Sequence, residues 1–205
     1  MALGAAILAG GRSRRYGGRD KGALVVDGRS IRDRQIAELA TIADDIIIVG
    51  WSGELRQGSD PGRTQVRTVA DRVAGAGPLG GVHTALTESP FGTVVVVACD
   101  MPYVSAHLLR YLASLAGAAD LVVPQTERGY HPLCAAYTRA CLEPAARRLA
   151  AGQLKMIDLF EDVRVRVVGA NELQNFGDVR RMLANVNSPA DFHELEALQG
   201  HQPSS

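Results

Sequence analysis

The sequence predicts an α/β fold built on a mostly parallel, doubly wound sheet. Three observations carry this. Four short runs are apolar without alternation: residues 2–9 (ALGAAILA), 44–50 (DDIIIVG), 93–99 (TVVVVAC) and 120–124 (DLVVP). Continuous runs of this kind suit strands buried on both faces of a parallel sheet. Amphipathic segments lie between them, which gives the strand–helix alternation of βαβ units. The chain has 205 residues, a length that suits one domain.

The elements follow in order. Residues 31–43 place Ile31, Ile36, Leu39 and Ile42 on one helical stripe behind Ser30, an N-cap residue type. Pro78 fits the first position of a helix over 78–88. Ser105 caps a helix over 106–117, with Leu108, Leu109, Leu112 and Leu115 to one side. The stretch 130–168 is less regular. HPLCAAYT reads as a strand, 140–151 as a helix and 155–161 as a short helix. VRVRVV at 163–168 alternates like a half-exposed strand. Ser188 and Pro189 open a last helix in NVNSPADF (185–192). The expected organisation is one domain over residues 1–198 and a polar tail at 199–205.

Composition narrows the function classes. Apolar residues make up 46% and charged residues 21%, as in ordinary globular proteins. Lys+Arg and Asp+Glu are balanced at 22 each, so a bulk nucleic-acid or membrane binder is disfavoured. Any anion site must come from local clustering. Cys99, Cys134 and Cys141 form no CxxC pair and sit in apolar segments, as core thiols of a reducing compartment do. The five histidines form no HExxH motif. The start MALGAAILAGG lacks a basic n-region, and no stretch reaches the ~18 apolar residues of a membrane span. The expected location is the cytoplasm.

In open parallel sheets, ligands bind outside the carboxyl ends of the strands. The residues that follow the strands therefore matter most. After the first comes LAGGRSRRYGGRDK, residues 8–21. Its glycines let backbone N–H groups approach an anion, while Lys21 offers a point charge and Arg12, Arg14, Arg15 and Arg19 offer forked donors. It matches neither GxxxxGK[ST] nor GxGxxG, so two readings stay open: a phosphate loop of another type, or a solvated loop. Asp100 ends the valine run. It suits a hard divalent cation shared with substrate phosphates, or equally the start of a helix. Asp71, just before GAGPLGG (75–81), offers a second carboxylate at the same edge, or a turn residue. GAGPLGG lets a flat group pack on backbone, or makes a tight turn into the helix. Asn185 and Asn187 flank Val186 and point the same way on an extended segment, or serve as turn and cap residues.

Taken together, these stretches resemble the MobA-like nucleotidyltransferases. LAGG (Leu8 to Gly11), RRYGGRDK ending at Lys21, Asp71, GPLGG (Gly77 to Gly81), CDMPYV around Asp100, HPLCAAY (131–137) and NVNSPAD (185–191) fall in the family's order and rough spacing, over nearly the whole chain. LAGG and the closing NVN-x-P favour the guanylyl branch over the cytidylyl one. The resemblance implies a Rossmann-like nucleotidyltransferase fold, a three-layer α/β/α arrangement. It implies transfer of GMP from GTP to the phosphate of Mo-loaded molybdopterin, with Mg²⁺ as cofactor and pyrophosphate as the second product. It places Leu8, Ala9, Gly10, Gly11, Lys21, Asp71 and Asp100 on the nucleotide. It implies Lys21 and Asp100 as the catalytic pair, with the metal on Asp100. It ties Arg15, Gly77, Gly81, Asn185 and Asn187 to the second substrate. Contacts with other proteins of molybdenum-cofactor synthesis are implied too. Two positions depart from the family. Val49 and Gly50 stand where the second strand usually ends in asparagine, and Tyr16 stands where methionine is usual. The rivals are a cytidylyl or sugar-phosphate nucleotidyltransferase, and a nucleotide-binding regulator without catalysis.

Overall fold

The computed structural model describes residues 2–9, 21–53, 55, 64–186 and 191. In chain order the strands and α-helices are β1 (Gly4–Leu8), β2 (Val25–Val26), β3 (Arg29–Ser30), α1 (Ile31–Leu39), β4 (Asp45–Val49), β5 (Gln65–Val69), α2 (Gly77–Glu88), β6 (Thr93–Ala98), α3 (Ala106–Leu115), β7 (Leu121–Thr126), β8 (Gly129–Tyr130), β9 (Cys134–Thr138), α4 (Leu142–Ala150), β10 (Val165–Val168), α5 (Ala170–Leu173) and α6 (Val179–Met182). Eight strands form one sheet in the order β10-β7-β9-β6-β1-β4-β5, with β8 paired to β7. The sheet is parallel except for β9, which runs antiparallel between β6 and β7, and for the β7–β8 pair. β2 and β3 form a separate antiparallel hairpin.

Side-chain alternation produces the layers. Leu3, Ala5 and Ile7 of the first strand region share a core with Ile46, Ile48, Val95 and Val97, covered by Ile36 and Leu39 of α1 and Leu108, Leu109 and Leu112 of α3. Ala6 and Leu8 point the other way, with Ile47, Val49, Val94 and Val96, under Leu79, Val82 and Leu86 of α2 and Ala145 of α4. Both faces of each central strand are therefore apolar. This is why the predicted runs lack alternation, and each buried Ile, Val or Leu contributes roughly 1.5–3 kcal/mol.

The caps fall where the sequence put them. Ser30 Oγ accepts from Asp33 N–H at 3.0 Å, and Ser105 Oγ accepts from Leu108 N–H at 3.3 Å. Pro78 sits in the first turn of α2. The helices α1 and α3 end earlier than predicted, at Leu39 rather than 43 and at Leu115 rather than 117. The 155–161 segment is a 3-10 helix over Met156–Glu161. The sequence reading assigned no strand to 65–69. QVRTV is an edge strand whose Arg67 pairs with Asp45 and Glu88, so its polar residues hid it. The predicted helix at Pro189 lies outside the described residues. Burial pushes the Cys134 and Cys141 thiols up to about 12, in keeping with core cysteines. Among the described residues, no helix is long and apolar enough to cross a membrane.

Candidate active site

Three parallel strands end together. Leu8 of β1 is in register with Val49 of β4 and with Ala98 of β6. Backbone hydrogen bonds continue past their ends: Ala9 N–H donates to the Val49 carbonyl at 2.9 Å, Cys99 N–H to the Leu8 carbonyl at 3.2 Å and Gly50 N–H to the Val69 carbonyl at 2.8 Å. This rigid ledge presents Asp100 at the centre of the carboxyl edge.

Asp100 does not start a helix, because α3 begins six residues later under its own serine cap. Its turn is held from three sides. Gln35 Nε2, on α1, donates to the carbonyls of Ala98 at 2.7 Å and Met101 at 2.9 Å. Arg34 Nε donates to the Pro102 carbonyl at 3.2 Å. Val186 N–H donates to the carbonyl of Asp100 itself at 2.7 Å. The carboxylate is 15% exposed, and its Oδ2 lies 3.4 Å from Lys21 Nζ, which is 27% exposed. Oδ1 is buried and has no hydrogen-bond partner among the described residues. A buried carboxylate oxygen without a donor is costly unless a cation takes it. One carboxylate completed by substrate phosphates is the habit of Mg²⁺, so Asp100 fits the metal implied by the sequence.

Lys21 opens a short 3-10 turn, Lys21–Ala23, that runs through Leu24 and the β2–β3 hairpin into α1. The helix that clamps the Asp100 turn therefore also anchors the segment bearing Lys21. An atom added at Gly22 would lie 2.8 Å from the Arg32 guanidinium, so this glycine permits the close approach.

The other predicted residues take distinct places. Asp71 follows β5, three strand spacings from the end of β6, or roughly 14 Å across the edge. At that spacing Asp71 and Asp100 are too far apart to share one ion. Burial raises the Asp71 pKa above the ordinary carboxylate value. Gly77 adopts φ +62°, a conformation that favours glycine at the start of α2. Gly81 is buried: a Cβ there would sit 3.1 Å from Leu8 Cδ1, so this glycine lets α2 pack closely on β1. Leu8 is buried too, and the Ala9 N–H is spent on β4. Asn185 is exposed beside Val186. Gly10, Gly11, Arg15 and Asn187 lie outside the described residues, as does Tyr16.

At the end of β4, Val49 is buried and Gly50 adopts φ +75°. This left-handed backbone favours glycine and is also one that asparagine adopts more readily than other residues, so it suits either residue at this position. Next to it, the Arg32 guanidinium stacks on Trp51 at 3.8 Å. The HPL segment adjoins the site, because the Leu133 carbonyl accepts from Ala98 N–H at 2.9 Å. His131 Nε2 lies 2.9 Å from Thr126 Oγ1, and its pKa is lowered by burial first and by Arg128 second. Sequence reasoning missed Gln35, Arg34 and the Val186 N–H. Each acts over a long sequence separation and carries no local signature.

A lysine and a carboxylate facing each other at the carboxyl edge of a doubly wound sheet, beside a glycine-opened helix, define a protein that handles nucleotide phosphates. The chain belongs to the MobA-like NTP transferase domain family, whose family model matches residues 5–166. It is therefore a nucleotidyltransferase. It is 38% identical over 195 residues to the probable molybdenum cofactor guanylyltransferase of Pelotomaculum thermopropionicum, covering 94% of this chain and 91% of the relative. Among solved structures, it superposes on the molybdopterin-guanine dinucleotide biosynthesis protein A from Archaeoglobus fulgidus with a TM-score of 0.76 at 23% identity, covering 97% of this chain and 100% of that one. The 2-C-methyl-D-erythritol 4-phosphate cytidylyltransferase from Thermus thermophilus gives a TM-score of 0.70 at 18% identity, covering 97% and 98%. These two structures share the fold.

Proposed function

We propose that the chain is a molybdenum cofactor guanylyltransferase. It transfers GMP from GTP to the terminal phosphate of Mo-loaded molybdopterin, in the cytoplasm, as one domain over residues 1–198. The observation that carries the reading is the Lys21–Asp100 pair at the strand ends, with a buried carboxylate oxygen that has no hydrogen-bond partner among the described residues. The 38% identity to a protein named for this activity supports it.

In this reading an oxygen of the pterin phosphate attacks the α-phosphorus of GTP. The bond from that phosphorus to the β-phosphate bridging oxygen breaks, and pyrophosphate leaves with the electron pair. No covalent nucleophile on the protein is needed, and catalysis is positioning and charge neutralisation. The Lys21 ammonium, held over the Asp100 turn, neutralises phosphate charge that builds towards the transition state. Asp100 would hold Mg²⁺ through the buried Oδ1, and the ion supplies Lewis-acid charge stabilisation. Gly77 and Asn185 border the edge where the second substrate arrives, with Arg15 and Asn187 as further ligands, while Gly10 and Gly11 meet the nucleotide. Asp71, set apart along the edge, meets a different part of the nucleotide from the reacting phosphates. Delivery of the pterin by another protein of the same synthesis belongs to this proposal.

A thermal-shift screen of the four NTPs, with and without Mg²⁺, tests the substrate, because a bound ligand stabilises the fold by mass action. GTP should raise the unfolding temperature well ahead of CTP, and more so with Mg²⁺. A CTP-led shift would move the chain to the cytidylyl branch. No nucleotide shift, and no pyrophosphate release with a pterin acceptor, would leave only a non-catalytic role.

A further inference from the structure

We infer that Gln35 is a positioning residue that sets the cation-binding geometry of Asp100. The inference rests on the reading that Asp100 holds the metal. Gln35 lies in the middle of α1 with 0% exposure, on a helix whose other buried residues include Ile31, Ile36 and Leu39. An apolar side chain is the ordinary occupant of such a place. The amide instead reaches 63 and 66 residues along the chain, to the carbonyls of Ala98 and Met101. These two carbonyls bracket the Cys99–Asp100 dipeptide. Both partners are oxygens, so only the NH₂ group can meet them, and chemistry fixes the amide's orientation. The Gln35 Oε1 is buried with no partner among the described residues. The fold thus keeps a buried amide in an apolar helix face and spends both of its donors on one turn. The neighbouring Arg34 holds the Pro102 carbonyl from the same helix.

A turn fixed at both ends can aim only one way. Without the two donors, the Ala98 carbonyl keeps, among the described residues, only the longer bond from Met101 N–H at 3.3 Å and the Met101 carbonyl loses its Gln35 donor, so the turn that carries the Asp100 side chain is held less tightly. Groups that orient a metal ligand from behind typically contribute roughly 10–100-fold to metal affinity or activity. Gln35 is placed to be such a group, acting through the backbone.

The test uses the full chain with two variants. Gln35→Glu keeps the shape and removes the paired donors. Gln35→Met keeps much of the volume and removes all polarity. Mn²⁺ binding in the presence of GTP is read by electron paramagnetic resonance, beside wild type and Asp100→Asn. The Mg²⁺ activation constant and the KM for GTP are read in parallel. The Gln35 variants should bind Mn²⁺ roughly 10–100-fold more weakly. Their activation constant for Mg²⁺ should rise while KM for GTP barely moves. A folded Gln35 variant that binds Mn²⁺ like wild type overturns the inference. So does loss of the native circular dichroism in both variants, which would make Gln35 a purely structural residue. If wild type itself shows no Mn²⁺ binding that Asp100→Asn removes, the failure lies with the metal reading instead.

Discussion

Asp100→Asn should separate catalysis from stability. The substitution keeps the side chain's shape and removes its charge. In the resting fold, two effects oppose each other. The charge attracts Lys21 at 3.4 Å, but both groups are partly exposed, so this pair contributes only about 0–1 kcal/mol. Against it stands the cost of a buried Oδ1 with no hydrogen-bond donor among the described residues, which neutralisation relieves. The net change should stay within about 1 kcal/mol, or about 2–4 °C in a chain of this size. The rate is a different matter. Losing a group that stabilises charge only in the transition state costs roughly 3–4 kcal/mol, or about 10²–10³-fold. Pyrophosphate release should therefore fall at least a hundredfold, while the unfolding temperature without Mg²⁺ hardly changes. The further stabilisation by GTP with Mg²⁺ should vanish. Turnover within tenfold of wild type would refute the catalytic assignment. A fall of about 8 °C or more in the unfolding temperature would refute the balance of forces in the resting turn.

Three further outcomes are expected. Lys21→Met should lower pyrophosphate release about a hundredfold with a near-native unfolding temperature, and unchanged release would remove Lys21 from the mechanism. Gly81→Val drives a branched side chain onto Leu8, where even a Cβ would lie 3.1 Å away; overpacking of this kind costs about 1–3 kcal/mol, so the unfolding temperature should drop by several degrees. An unchanged temperature would mean that α2 is free to shift. His131 and His83 both have pKa values lowered from 6.5 chiefly by burial, so the fold prefers them neutral. That stability is fully present above pH 6.5 and is lost as pH falls through their folded values. The double variant His83→Gln/His131→Gln should therefore show a flatter unfolding temperature between pH 7 and pH 5 than wild type, and parallel slopes would contradict this.

Much of the fold was legible because its causes are local. The valine and isoleucine runs become strands because both of their faces are covered by helices, and Ser30 and Ser105 cap because the N–H groups they bond lie three residues on. The edge strand Gln65–Val69 was not legible, since one sheet edge lets polar residues such as Arg67 pair sideways and breaks the apolar run. Nor was the antiparallel insertion of β9 between β6 and β7, which depends on chain path.

The site divides in the same way. Sequence alone determined the chemical groups available: Lys21 after a glycine loop, Asp100 at the end of a valine strand, Asp71 before GPLGG, and an order of motifs shared with one family. These are properties of residue type and spacing along the chain. Tertiary structure decided how the groups are used. Strand order sets Asp71 well away from Asp100, so the two carboxylates are not one metal site. Packing turns Gly81 into the contact between α2 and β1. Bonds spanning 63, 66 and 86 residues, from Gln35 and Val186, lock the Asp100 turn. Where a side chain points is fixed by which distant backbone atoms it can reach, and linear spacing does not encode that distance.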